Sequence, residues 1–503
     1  MNFDKRTINI MLAVLAVSFI LLRFWRIDVA CLWFDEIFSV HAAQQSWGNL
    51  FSFIAADLIH PPLFYVVLKL WIGIGGESVL WLRTLPALFA ILSIPPLIWL
   101  TRVLKLPTLV APLACLLLAF NGSVLKYSQE VRMYSMLMCL SLFSAWLFAR
   151  YYVKGKSFIP LLIINCFVIY THYFGWFVVG SEIAAILLFQ RMKWRRMAVM
   201  FGILAAVFTP WAIAVISAAE SGGVAQNIGW MQRPGIRQIV TLVFNLIEPI
   251  YYQSSSIDPI SDVKVALPIL LIIALSVIAF IADNKARTEA QKDAVRLLFV
   301  FVVVPMLIAF LLSWIMPVSI WGTRHLIILF APFALIAAFA VLSLPKSWMQ
   351  TASVTLIVLF CGYGLVNGLT TPPAATPWCE WNSAATKFAE QGANTERLYV
   401  FEDLAAYHAW FTLKDSDPAV IKVNGTDVKE DKAYFLPRRF DRVNVVNIDE
   451  INEPSIFVAF RTSRFETTAS PLLELSKLGY RVETMEPFSA EPTRTYLVKL
   501  SKN

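Results

Sequence analysis

Apolar runs of roughly the ~20 residues needed to cross a bilayer recur along most of the chain, and polar residues gather in the short gaps between them. Hydropathy places spans at 8–24, 84–103, 107–125, 132–151, 157–171, 174–190, 197–218, 264–282, 295–316, 325–343 and 350–369, about eleven crossings. The run 62–74, PLFYVVLKLWIGI, is apolar but short, and counting it as a crossing inverts every later basic loop. It reads instead as an interfacial or re-entrant helix, with Lys69 and Trp71 suited to the headgroup level. Residues 236–250, after Pro234-Gly235, read as a second such helix, and Phe34 to Trp47 as an amphipathic one. From Trp381 the pattern changes to that of a small α/β domain. Helices are expected at 382–391, 403–412 and 471–478, and strands at 397–402, 443–447, 456–460 and 495–500.

Composition agrees with this division. With 503 residues, 58% hydrophobic and only 15% charged, the chain is too apolar for a soluble globule and fits a polytopic α-helical membrane protein. The expected domains are a membrane region, 1–370, with external loops 26–83 and 219–263, and an extracytoplasmic α/β domain, 371–503. The net charge of +8 does not call for nucleic acid, because the basic residues are dispersed in short loops. With the N-terminus inside, one face receives Lys5, Arg6, Arg102, Lys105, Lys154, Lys156, the cluster Arg191 to Arg196, Lys285 to Lys292, and Lys346. No small-residue cleavage site follows the first apolar run, so it is expected to stay as an anchor. Of six cysteines, only Cys31 and Cys379 fall in watery regions. A bridge between them ties the first external loop to the C-terminal region, but two unpaired thiols is the favoured reading, because pairing is not legible in sequence.

On that topology every unusual polar motif lands on the face opposite the basic loops. These are Asp35-Glu36 in CLWFDEIFSV; His60 in DLIHPPLFYVVLKLW; Lys126, Tyr127, Gln129, Glu130, Arg132 and Tyr134 in KYSQEVRMYS; His172-Tyr173 in YTHYFGW; and Arg324-His325 in WGTRHLI. Charges near a membrane are costly and find partners, so one shared polar cavity accounts for them more economically than five separate sites. Its contents suit glycosyl transfer. Cations hold a lipid-linked phosphate while a carboxylate deprotonates an attacking hydroxyl. Each residue also has a plainer reading: acids in the first turn of a helix complement its dipole, His60-Pro61-Pro62 resembles a helix start, Glu130 and Arg132 suit an ion pair, and the tyrosines suit an aromatic belt. Glu182, deep in a span, keeps open a transporter or flippase of lipid-linked sugars, although no repeated halves are visible.

In order along the chain, FDEIFS, HPPLFYVVLKLW, YSQEVRMYS and THYFG resemble the bacterial GT-C glycosyltransferases related to protein O-mannosyltransferases and lipid A aminoarabinose transferases. The resemblance implies a GT-C fold and an inverting transferase in the bacterial inner membrane, with its active site on the periplasmic side. It further implies a polyprenyl-phosphate sugar as donor and, as acceptor, a hydroxyl of a cell-envelope glycan or lipid such as lipopolysaccharide. Carried over residue by residue, Asp35 is the catalytic base with Glu36 its neighbour. By the same resemblance Arg132 is a donor-phosphate ligand, Arg324 a second and His60 part of the cavity wall, while Lys126 as a phosphate ligand and Tyr127, Gln129, Glu130, Tyr134, His172, Tyr173 and His325 as cavity residues rest on their place on the same membrane face. No cofactor is required by the residues. Some relatives hold a divalent metal, for which His60, Glu130 and His172 are the candidates, without the spacing of a ligand signature. Two departures weigh against protein O-mannosylation: Arg132-Met133-Tyr134-Ser135 lacks the Leu-Leu-Asp of those enzymes, and the loop 219–263 is too short for their β-trefoil.

Overall fold

The computed structural model describes residues 4–190, 193–219, 228–249, 263–282, 288–370, 377–391, 397–414, 420–429, 434–438, 440–488 and 493–502. They form two compact units. The first runs to Ile27 and resumes from Leu58 through the helical region; the second joins Asp28–Asp57 to the described residues after 376. The backbone enters the left-handed region at Arg26 (φ 54°) and Leu58 (φ 66°), beside the two points where the chain changes unit.

The first unit is helical, and each of the eleven predicted spans falls on a helix. Seven are long and apolar enough to cross a membrane: Lys5–Phe24, Val79–Val103, Tyr134–Lys154, Trp194–Ala219, Glu289–Ile315, His325–Leu342 and Ser347–Thr370. Val110–Ala119, Phe158–Thr171, Gly175–Phe189 and Ala266–Ala282 are shorter apolar helices at the other four predicted spans. Leu63–Gly75 is a helix of 13 residues, as expected of the interfacial segment. Side chains close several helix ends. Asp4 accepts from Thr7 N–H at 2.9 Å, and Thr288 and Gln291 form a reciprocal capping box. Two buried polar groups inside the bundle find partners in a similar way. Arg23 donates to Leu118 O (3.0 Å) and Ala119 O (2.9 Å), supplying donors to the otherwise unpaired carbonyls ending Val110–Ala119.

The second group is a ring of Ser144, Asn165 and Glu182, all buried, joining Tyr134–Lys154, Phe158–Thr171 and Gly175–Phe189. Ser144 Oγ lies 2.6 Å from Asn165 Oδ1 and 2.6 Å from Glu182 Oε1, while Asn165 Nδ2 lies 2.7 Å from Glu182 Oε2. One hydroxyl hydrogen cannot serve two acceptors, so the carboxyl supplies the second. Turning the Asn165 amide over sets its oxygen against Oε2 and again requires a carboxyl proton. Glu182 is therefore a neutral acid in either orientation, and the ring is complete without a buried charge.

The second unit contains a six-stranded sheet: β1 (Leu398–Val400), β2 (Val420–Asn424), β3 (Asn444–Asn447), β4 (Ser455–Thr462), β5 (Tyr480–Phe488) and β6 (Arg494–Lys502), in the order β3-β2-β1-β4-β6-β5. Strands β1 to β4 pair in parallel and β6 is antiparallel to β4 and β5. Both faces of β1 are covered. Leu398 and Val400 pack with Trp381, Phe388 and Leu413 from the helices Pro377–Gln391 and Asp403–Leu413, whereas Tyr399 packs with Leu472 and Leu475 of the helix Leu472–Lys477. Strand β5 was not predicted, because it is a largely exposed edge with a register shift between Val482 and Thr484 and shows little apolar alternation. Strand β2 was also missed; its run is interrupted by Lys422, whose charge is met by Asp403 at 2.5 Å. The amphipathic helix expected over Phe34–Trp47 is present as Phe34–Gln44, ending where Gln45 leaves the helical conformation, and a further helix, Trp47–Asp57, follows it. The reading of Cys31 and Cys379 as free thiols is corrected: they form a disulfide with their Cα atoms 5.4 Å apart.

Candidate active site

Within the first unit, four separate turns deliver side chains to one cluster. His60 stands before Pro61-Pro62 at the start of Leu63–Gly75, and His172 ends the helix Phe158–Thr171. Arg132 lies in the tight turn before Tyr134–Lys154, its N–H bonded to Glu130 O at 2.6 Å, and His325 opens a 3-10 turn. The His60 and His172 rings have centroids 5.2 Å apart, as do those of His172 and His325. Arg132 Nη2 lies 3.5 Å from His60 Nδ1 and 3.4 Å from Nε2. Tyr134 sits 6.3 Å from His172 and 6.2 Å from His325, and Tyr127 packs edge-on against it.

The electrostatics are set by burial. His60 and His172 are held well below the usual imidazole range, first by loss of water and then by neighbouring cations and rings, Arg132, Arg324 and His325 among them. Both are neutral at ordinary pH, and for His172 the tautomer follows from geometry. Its Nδ1 accepts the backbone N–H of Phe174 at 3.0 Å, so the ring proton is on Nε2. That Nε2 is buried and has no hydrogen-bond partner among the described residues. A buried N–H left unmade costs about 1–3 kcal/mol, which an acceptor arriving with a ligand would recover. With guanidinium groups nearby, the acceptor that fits is an anionic oxygen.

Gly175 makes the turn possible: a Cβ there would lie 2.4 Å from Val168 O, a backbone atom that cannot rotate away. Gly322 similarly lets His325 come close, its Nδ1 lying 3.2 Å from Ile320 O. Arg324 lies over the Trp230 ring at 5.1 Å, and Lys126 pairs with Glu130 at 3.6 Å. Among the described residues no three His, Cys, Asp or Glu side chains converge in a way that would hold a metal ion.

Other predicted residues have different employment. The Gln129 amide donates to Trp25 O (2.7 Å) and Arg23 O (3.2 Å), tying the end of Lys5–Phe24. Tyr173 accepts from Trp211 Nε1 at 3.4 Å and packs on Phe208, both of Trp194–Ala219. In the second unit, Asp35 and Glu36 occupy the first turn of Phe34–Gln44. Glu36 is fully buried and its Oε2 accepts the Trp33 N–H at 3.1 Å, capping the helix. Sequence reasoning missed Asn121, Asn245, Glu248 and Thr323. Asn121 Nδ2 donates to Asn245 O (2.8 Å), Asn245 Nδ2 to Thr323 Oγ1 (3.2 Å), and Gly122 N–H to Glu248 O (3.0 Å). Asn121 alone carried a signal, as an N-cap before an apolar run.

No protein-family profile and no curated protein sequence matches the chain. Solved structures do. A crystal structure of ArnT from Cupriavidus metallidurans bound to undecaprenyl phosphate superposes with a TM-score of 0.62, at 12% identity and 98% coverage of both chains. The chain has the GT-C fold. The apo form of the same ArnT gives a TM-score of 0.59 at 12% identity, covering 97% of each chain. The oligosaccharyltransferase of Archaeoglobus fulgidus, in complex with zinc and sulfate, gives 0.51 at 14% identity, covering 82% of this chain and 62% of the other. The likeness covers nearly the whole chain, and the seven long apolar helices among the described residues fit a multi-pass membrane protein.

Proposed function

We propose that the chain is a membrane glycosyltransferase that moves one sugar from a polyprenyl phosphate to a hydroxyl of a cell-envelope glycan or lipid, with inversion at the anomeric carbon. The observation that carries this reading is the buried, unpartnered Nε2–H of His172 amid Arg132, His60 and His325, an anion-seeking donor in a cationic cluster. The fold shared with an ArnT crystallised with undecaprenyl phosphate supports the lipid-phosphate class of donor.

In the proposed step the acceptor oxygen attacks the anomeric carbon and the bond from that carbon to the phosphate oxygen breaks. The acceptor proton passes to Asp35, the base by family resemblance, and the polyprenyl phosphate leaves with its negative charge. Arg132 and Arg324, with Lys126, stabilise that charge as it develops, and His172 donates to one phosphate oxygen. The Cys31–Cys379 bridge supports placing the second unit in an oxidising, extracytoplasmic compartment, which for a bacterial inner-membrane enzyme is the periplasm. The neutral ring around Glu182 argues against a charged transport path through the bundle.

The test is transfer of a labelled sugar from polyprenyl-phosphate donors in reconstituted vesicles. Asp35→Asn should abolish transfer while the protein remains folded and inserted, and full activity in that variant would remove Asp35 as base. Protein O-glycosylation, the other reading of the same fold, would appear as label on protein rather than on glycan or lipid.

A further inference from the structure

The second unit joins two stretches that are far apart in the chain: the segment Asp28–Asp57, which carries the acid pair, and the C-terminal α/β sheet. Three ties, two of them through Tyr407, hold the helix Phe34–Gln44 to this domain. Before its first turn, Cys31 is bonded to Cys379 of the helix Pro377–Gln391, and the Cys31 N–H also points at Cys379 Sγ, 3.1 Å away. At the first turn, the Phe34 ring sits 5.1 Å from Tyr407 and 5.1 Å from Tyr434. Near the last turn, His41 Nδ1 is hydrogen-bonded to Tyr407 Oη at 2.9 Å, and the His41 ring is enclosed by Phe53, Trp410 and Phe440 at 4.8, 4.7 and 5.5 Å.

A helix of 11 residues is about 16 Å long, so ties at both ends remove tilt and swing together. Glu36 adds rotational definition by capping the same helix through Trp33 N–H, and the Trp33 ring packs on Trp378, the neighbour of Cys379. These ties exceed what an appended solubility domain would need. They fix one short helix, and the residue that the fixed helix presents in its first turn is Asp35.

We infer that the C-terminal α/β domain is the positioning scaffold of the acid-bearing helix, with the Cys31–Cys379 bridge and the His41–Tyr407 pair as its positioning elements. The inference rests on the proposed function in taking Asp35 as the base. Positioning acts on the chemical step, since a carboxylate displaced by about 1 Å can lose on the order of a hundredfold in rate without weakening donor binding.

The experiment uses the full-length protein in vesicles, comparing oxidised wild type, reduced wild type, Cys379→Ser and Tyr407→Phe by hydrogen exchange over residues 34–44 and by steady-state kinetics. Loss of the bridge should speed exchange in that segment at least about tenfold and lower kcat about tenfold, with the donor KM within about twofold. Tyr407→Phe, which deletes one hydroxyl, should give the same split to a smaller degree. Unchanged exchange in all samples, or faster exchange with unchanged kcat, would overturn the inference. Should Cys379→Ser fail to fold, reduced wild type and Tyr407→Phe decide the same question. Were the wild type to transfer no sugar, the proposed function would fall while the exchange measurement still decided whether the domain holds the helix.

Discussion

At the scale of single residues, a polar side chain at a span end is legible, but whether it faces the cluster or serves only a backbone group is not. His60, Arg132, His172 and His325 announce themselves as polar residues at span ends, and the fold brings all four together. Gln129 and Glu36 look the same in sequence but are spent on backbone groups at helix ends, a demand every helix makes. His172→Phe keeps the ring stacking and deletes the donor. Hydrogen bonds to charged groups are worth about 1.5–3 kcal/mol, so donor-phosphate affinity should fall roughly 10- to 100-fold, measured by equilibrium binding of a short-chain polyprenyl phosphate. Unchanged affinity would remove His172 from the phosphate site. Glu182 makes the opposite prediction. A Gln at this position offers the same acceptor and donor as the neutral acid, so Glu182→Gln should retain transfer and thermal stability. Glu182→Ala takes the carboxyl partner from both Ser144 and Asn165, leaves them only each other, and should cost about 1–3 kcal/mol, seen as a lower unfolding midpoint. A Gln variant as damaged as the Ala variant would mean the carboxyl is ionised after all.

At the scale of elements, spans were the most readable feature, because a bilayer demands long apolar runs and leaves no other way to satisfy the backbone. The edge strand β5 was the least readable, since its exposed face tolerates Glu483 and Glu486 without penalty. Between these extremes lies the join of Phe158–Thr171 to Gly175–Phe189, where the motif THYFG was visible but the reason for its glycine was not. The reason is contact with Val168 carbonyl oxygen. Gly175→Ala forces the two helices apart or twists the turn, and His172 sits in that turn, bonded to Phe174 N–H. The variant should therefore lose transfer at least about tenfold, while Gly202→Ala, at a position with open space around it, should leave transfer unchanged. Equal activity of the two variants would mean the turn adapts at no catalytic cost.

At the scale of the whole molecule, the least legible feature was the association of residues Asp28–Asp57 with the C-terminal sheet, because nothing local in either stretch names the other. The unit contains two buried histidines, His41 against Tyr407 and His408 stacked on Trp378, which gives it a pH signature of definite sign. Burial pushes His41 down to about 4, with help from Arg442 and Lys414, and pushes His408 down to about 3. The unfolded chain takes up a proton on each near pH 6.5, whereas the folded unit refuses it until far lower pH. The stability these groups confer is thus fully present above about pH 6.5 and drains as pH falls towards 4, at up to roughly 1.4 kcal/mol per pH unit for each histidine. Glu380 works against this trend. Burial raises its carboxyl despite hydrogen bonds from Thr495 and the nearby Arg461, so its protonation on acidification relieves a cost. Two depressed imidazoles outweigh one raised carboxyl, and the exchange protection of the β4–β6 ladder should weaken steadily from pH 6.5 to 4. His408→Leu should flatten that slope by about one proton, since an apolar side chain there titrates in neither state. A slope that is flat in the wild type, or identical in the variant, would show that water reaches His408 in the folded protein.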